Sequence, residues 1–311
     1  MVKVEKAAKF VNKKSTSRIR YTKGDWAVTL ISYAVVTIFA LTIIYPVLNI
    51  IAVSMSSYRS YQMTPWMFFP YDFDFGAFEM VFTSRLIMRS YLNTIIITVS
   101  GTILVLILTT LTAYPLSRAE LRGKPFFMTY IIFTMIFNGG LIPNFLLVRA
   151  LGMNDTLFAL FIPGALSAFW IILMLNFFKG IPASLIEAAR IDGAGEIKIL
   201  LQIVLPLSTA ILATIALFAS VGYWNNFFNA VIYIRSQELW PVQLVLREII
   251  MRANVAVLAA DGNFAELDQV NLPTVSLRYA ALIVTMLPIM CVYPFLQKYF
   301  VKGVMIGAVK G

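Results

Sequence analysis

Residues 222–229 read GYWNNFFN, the densest mixture of amides and aromatic rings in the chain. At helical spacing Asn225 and Asn229 fall on one face, and Tyr223 with Phe227 and Trp224 with Phe228 stack on neighbouring ones. Amides beside rings are what a sugar wants: hydrogen bonds for its hydroxyls and a flat apolar surface for its C–H side. The same residues also suit a plainer task, amides tying helices together and rings forming an interfacial belt. Counted from Pro206, about 19 residues put Asn225 about 30 Å along a helix, near one surface of a membrane. The sequence leaves both readings of Tyr223, Trp224, Asn225, Asn226, Phe227 and Asn229 open, a substrate pathway or a structural tie.

Other chemistry is scarce. There is no histidine, which removes His-ligated metals and every His-based acid–base mechanism. One cysteine, Cys291, lies in an apolar run, so disulfides and thiolate metal sites are excluded. The Walker A pattern is absent, because Gly123-Lys124 is followed by Pro125 and lacks its upstream glycine. No cofactor is expected in this chain, and no nucleic-acid partner.

The elements that position these residues are helices in lipid. Of 311 residues, 60% are hydrophobic and 13% charged, against about 25% charge in a soluble domain. Splitting the chain at charged residues leaves six long windows, 26–58, 90–117, 125–148, 156–178, 199–234 and 279–297. Each approaches or exceeds the roughly 20 residues that cross a bilayer, and all are too continuously apolar for barrel strands. The expected fold is an all-α integral membrane protein, a bundle of six transmembrane helices over 26–297.

Basic residues give the orientation. With the N-terminus inside, segments 1–25, 118–124, 179–198 and 298–311 hold 17 Lys and Arg, and 59–89, 149–155 and 235–278 hold 8. Both termini are therefore expected in the cytoplasm. The basic arm 1–25 reads either as lying against anionic membrane lipid or a partner, or as a solvated tail. A signal peptide is disfavoured, because the first apolar run is about twice the length of such a core.

Ionisable groups at depth, which ion-coupled carriers need, are missing from the windows. Amides are there instead, Asn93, Asn138, Asn176, Asn225, Asn226 and Asn229, and such a path suits a neutral hydrogen-bonding solute better than an ion. The third window holds Asn138, Gly139, Gly140 and Pro143 within NGGLIP, a break inside a membrane run that reads as a gate or as a simple kink. The outer segments 59–89 (with Trp66) and 235–278 (with Trp240-Pro241) are long enough to dock a partner or to be disordered.

The remaining feature is EAARIDGAG at 187–195, inside the inner segment 179–206. Pro182 fits a helix start and Gly193 a left-handed stop about 11 residues on. Ala188 and Ala189 present almost no side chain, so another surface can approach the backbone. The result is an elbow rooted in the next span through Ile203, Leu205 and Pro206.

At these positions the chain resembles the EAA loop of binding-protein-dependent ABC importer permeases. Glu187, Ala188, Ala189, Gly193, Ile203, Leu205 and Pro206 match that pattern at every spacing. Residues 222–229 and, within the tail 298–311, residues 299–311 are similar to carbohydrate-uptake permeases of the maltose importer group, and NGGLIP is similar to a subset serving complex oligosaccharides or polysaccharide fragments. The resemblance implies a type I importer permease whose coupling helix sits in a groove of a separate ATPase subunit. Glu187 would make polar contacts there, Ala188 and Ala189 would allow close packing and Gly193 would form the turn. The partners implied are a homologous second permease, two ATPase subunits that bind the ATP and Mg, an extracellular solute-binding protein and a carbohydrate. The location implied is a bacterial cell membrane. The alternatives are the same permease with an amino acid, peptide or phosphate as cargo, or an autonomous channel or secondary carrier.

Overall fold

The computed structural model describes residues 23–261 and 275–308. Residues 1–49 form one unit and 50–311 another. Among the described residues there is no named strand, and one isolated antiparallel bridge joins Ser56 to Phe73. Most of the basic arm and residues 262–274 of the 235–278 segment lie outside the described residues.

The principal helices are α1 (Lys23–Ser54), α2 (Gly76–Thr83), α3 (Arg85–Ser117), α4 (Lys124–Ile136), α5 (Leu141–Ala150), α6 (Ala168–Lys179) and α7 (Ala183–Ile191). A helical stretch α8 (Glu196–Leu207) follows, then α9 (Thr209–Trp224), α10 (Phe228–Tyr233), α11 (Val242–Asp261) and α12 (Val275–Ala308). By length and composition, Gly24–Ser54, Arg85–Ser117 and Val275–Val292 are each long and apolar enough to cross a membrane. Three bent pairs pass the same test only together: α4 with α5 (114°), α6 with α7 (74°) and α8 with α9 (79°). The chain is a multi-pass membrane protein with three continuous and three broken hydrophobic stretches.

Besides the break expected at NGGLIP, two further windows are interrupted. Pro163 and Gly164 interrupt 156–178, leaving a short helix at Phe158–Phe161 and the twelve residues of α6, the latter about 18 Å long. The 199–234 window is interrupted at Ser208 and again at 225–227. Helix α12 continues past the 279–297 window to Ala308, with Pro288 and Pro294 inside it.

The core lies where α3, α6 and α9 pack. Ala113, Met174, Leu175, Ile199 and Ile215 are almost fully buried there. Gly101 sets the approach of α3 to α9, because a Cβ on it would sit 2.6 Å from the Tyr223 ring. A second cluster joins α2, α11 and α12 through Val81, Val245, Leu246 and Ala280.

Segment 235–278 is accordingly not a free loop over its described part. Asn93 donates to the carbonyl oxygens of Glu238 (2.7 Å) and Trp240 (3.2 Å), and Val242 N donates to Thr94 Oγ1 (2.8 Å). Asn93 is buried and serves as this tie, a role its place among the amides of the windows had not indicated.

Candidate functional site

The two polar features lie at opposite ends of α3: Asn93 and Thr94 near its start, Tyr114 near its end, about 30 Å apart.

At the Tyr114 end, α7 is nine residues long rather than about 11, with Pro182 as its N-cap. Its C-terminus closes by two reverse bonds, Gly193 N to Arg190 O (3.0 Å) and Ala194 N to Ala189 O (2.9 Å). That pairing is a Schellman motif, and Gly193 supplies its left-handed residue at φ +79°. Ile186 is buried and Ala189 half-buried against the core, whereas Glu187 and Ala188 are exposed. Leu185, Ala188 and Ile191 follow at three-residue intervals on the open side, with Ile191 86% exposed. An isolated nine-residue helix is marginal in water, so its stability comes from these anchors.

The anchors include residues that the motif did not single out. Arg190 Nε and Nη2 donate to Glu196 Oε1 (3.0 and 2.8 Å), and Nη1 donates to Glu120 Oε1 (3.1 Å). Tyr114 OH donates to Glu196 Oε2 (2.7 Å), and the Arg118 guanidinium lies 4.4 Å over the Tyr114 ring. The network therefore clamps both limbs of the elbow to the end of α3. The Tyr114 hydroxyl, then Arg190, hold the Glu196 carboxyl below the usual carboxylate range. Glu120 is lowered by its own backbone N–H and then by Arg190, and Arg190 is raised by Glu120 and then Glu196. These groups are largely exposed, so the network fixes geometry more than it adds stability.

Beyond the turn, residues 200–204 form a π-helical segment in which Leu205 N bonds to Leu200 O. Val204 is buried, Ile203 and Leu205 are half-buried, and Pro206 is exposed. The chain then turns 79° into α9 at the fully buried Ser208.

At the other end, the expected shared face of Asn225 and Asn229 is not formed. Helix α9 ends at Trp224, where Asn225 N bonds to Val221 O, and Phe227 N bonds to Asn225 O outside any helix. Asn226 Oδ1 accepts from Asn229 N (3.2 Å) at the start of α10, so this amide caps a new helix and breaks the register between the two faces. Nor do Tyr223 and Trp224 stack on Phe227 and Phe228. Tyr223 OH donates to Phe161 O (3.1 Å), and Trp224 is buried with its N–H on Thr285 O (3.2 Å) and its ring 6.2 Å from Tyr91. The 79° bend also removes the straight 30 Å path from Pro206. Asn225 and Phe227 remain on the surface, and here the fold adds two residues from α11. Gln243 Nε2 donates to Asn225 Oδ1 (3.3 Å), and the Arg247 guanidinium lies 6.0 Å from the Phe227 ring centre.

The NGGLIP break is an Asx turn, with Gly140 N donating to Asn138 Oδ1 (3.0 Å) and Gly140 at φ +87°. Asn138, Gly139, Gly140 and Pro143 are all exposed. Downstream, the Phe145 and Tyr233 rings stack at 6.1 Å, joining α5 to α10. Asp155 adds to this join by accepting from Arg235 N, Ser236 N and Ser236 Oγ (2.9, 2.9 and 2.6 Å), which lowers its pKa, Ser236 contributing most.

Residues 119–306 match the family described as binding-protein-dependent transport system inner membrane components. The chain belongs to this family. Similar relatives of this transport component include the polygalacturonan/rhamnogalacturonan transport system permease YtcP of Bacillus subtilis strain 168, 37% identical over 283 residues, covering 91% of this chain and 98% of that one. Protein LplC of the same organism is 40% identical over 272 residues, covering 88% and 90%. Among solved structures, a chain of a bacterial ABC transporter that imports the acidic polysaccharide alginate superposes with a TM-score of 0.80 at 36% identity, covering 90% and 99%.

Proposed function

We propose that this chain is one of two permease subunits of an ATP-driven importer that moves an oligosaccharide or polysaccharide fragment into a bacterial cytoplasm. In this reading the chain makes six spans with both termini inside, and α7 with its turn lies in the cytoplasm between the fourth and the fifth. An extracellular solute-binding protein delivers the sugar, and ATP and Mg are bound by two separate ATPase subunits. Helix α7 is the coupling helix, and the observation that carries the reading is its geometry. It offers an apolar face at Leu185, Ala188 and Ile191, closed by Gly193, with Arg190 paired to Glu120 just past α3 and to Glu196, which accepts from Tyr114 on α3. A surface of that kind accepts a rigid push, and the clamp delivers it to α3. Closure of the ATPase pair draws the coupling helices together and opens the spans outward, and hydrolysis resets them. The carbohydrate cargo is supported by the polygalacturonan/rhamnogalacturonan permease and the alginate importer, both described as polysaccharide transport systems.

The test is co-purification of the chain with its neighbours in the assembly, followed by a sugar screen on the reconstituted complex. An ATPase subunit that co-purifies, with ATPase activity stimulated by sugar-loaded binding protein, is the expected result. Failure to recover an ATPase subunit would sink the reading.

A further inference from the structure

We propose that Asn225, Phe227, Gln243 and Arg247 form a subsite for an acidic sugar unit, with Arg247 pairing the uronate carboxylate. The proposal rests on the carbohydrate reading and adds the charge of the cargo. Within the hydrophobic windows there is no Asp, Glu, Lys or Arg, and that absence favours a neutral solute. The fold changes the inventory by laying α11 beside the break that follows α9. Gln243 and Arg247 are one turn apart on α11, so they share a face. Gln243 reaches Asn225 and Arg247 reaches Phe227.

Each group matches one part of a uronate. Phe227, a residue 40% exposed, offers its ring as a flat apolar surface to the C–H face of a pyranose. The Asn225 and Gln243 amides already exchange one hydrogen bond and keep further donors and acceptors for ring hydroxyls. The Arg247 side chain is 42% exposed, and its contact with Glu248 is long at 3.5 Å. Its fork of five N–H donors fits a planar carboxylate in two-pronged fashion. A neutral hydroxyl makes no comparable use of a guanidinium held over a ring.

The experiment uses the importer reconstituted with its second permease, ATPase subunits and binding protein, the same binding protein in every arm. Uptake of trigalacturonate is compared with uptake of its methyl-esterified, neutral counterpart. Arg247→Gln is expected to raise the KM for trigalacturonate on the order of tenfold, the worth of a charge-assisted hydrogen bond, and to leave the ester unchanged. Arg247→Lys, which keeps the charge but not the fork, is expected to fall between. Equal loss for acid and ester in both variants would overturn the proposal and leave Arg247 as a packing residue. Wild-type uptake confined to neutral sugars would overturn it while the carbohydrate reading stands. Uptake of neither sugar class, with a non-sugar taken up instead, removes the carbohydrate reading and this proposal with it.

Discussion

The elbow at the Tyr114 end of α3 and the polar cluster at the Asn93 end are built in opposite ways. The elbow is local: from Pro182 to Leu207 its cap, turn and second limb come from one continuous stretch. The cluster is composite: Asn225 and Phe227 sit in a helix break, while Gln243 and Arg247 arrive from a helix beyond it. A local device is specified by spacing, so a motif finds it. A composite one is specified by packing, so residues far apart in sequence share it and a single substitution within it weakens the site without abolishing it. The elbow is therefore expected to be brittle, and the cluster graded.

The largest effect is expected at Gly193. Valine there meets φ +79°, a backbone region that costs an ordinary L-residue about 1–2 kcal/mol and a β-branched one more. Gly193→Val should abolish sugar-stimulated ATPase activity while basal hydrolysis by the ATPase subunits persists. Normal stimulation would break the contrast between a brittle elbow and a graded cluster.

Next comes Trp224, which the sequence grouped with the pathway and the structure buries as a tie to Tyr91 and Thr285. Trp224→Ala should destabilise the subunit by about 3–5 kcal/mol, read as a lower unfolding temperature of the solubilised complex and less assembled material. Full stability with reduced uptake would return Trp224 to the pathway.

Smaller still is the clamp. Arg190→Ala should leave stability close to that of the wild type, because its pairs are exposed, yet should lower the ratio of sugar transported to ATP hydrolysed several-fold. Glu196→Gln added to it should change that ratio little further, since both remove one connection. Additive losses would mean that the two residues act separately.

The smallest effect expected is that of pH. Glu196 and Asp155 are both held below the usual carboxylate range, Glu196 by Tyr114 and Arg190, Asp155 by Ser236 and Arg235. Such a carboxyl contributes stability that is fully present above its unfolded pKa, about 4, and is lost as the pH falls through the lower folded value. Coupling and assembly should thus be flat from neutral pH down to that range, and fall only below it. A decline in the Arg190-dependent coupling ratio near pH 6 would contradict the assignment of these partners.

How far the sequence reached follows the same division. Spacing alone located the helix after Pro182, the left-handed turn at Gly193 and the break at NGGLIP, because each is decided by the conformational range of one or two residues and their neighbours. Composition alone established a chain of helices in lipid, because apolar length and charge segregation are properties of the string. It failed where helices end inside apolar runs. Nothing in the hydrophobicity of 199–234 marks Ser208 or Asn225 as a bend, and extending one helix through them wrongly aligned Asn225 with Asn229. It also failed for every partner more than a few turns away. The reach of Arg190 to Glu120, the hold of Asn93 on the Glu238 and Trp240 carbonyls, and the placing of Arg247 over Phe227 span gaps that only chain folding closes. Local backbone preferences were thus the sequence's to determine. Which charge meets which ring or carboxylate was decided by the tertiary structure, because such encounters depend on how several helices pack at once.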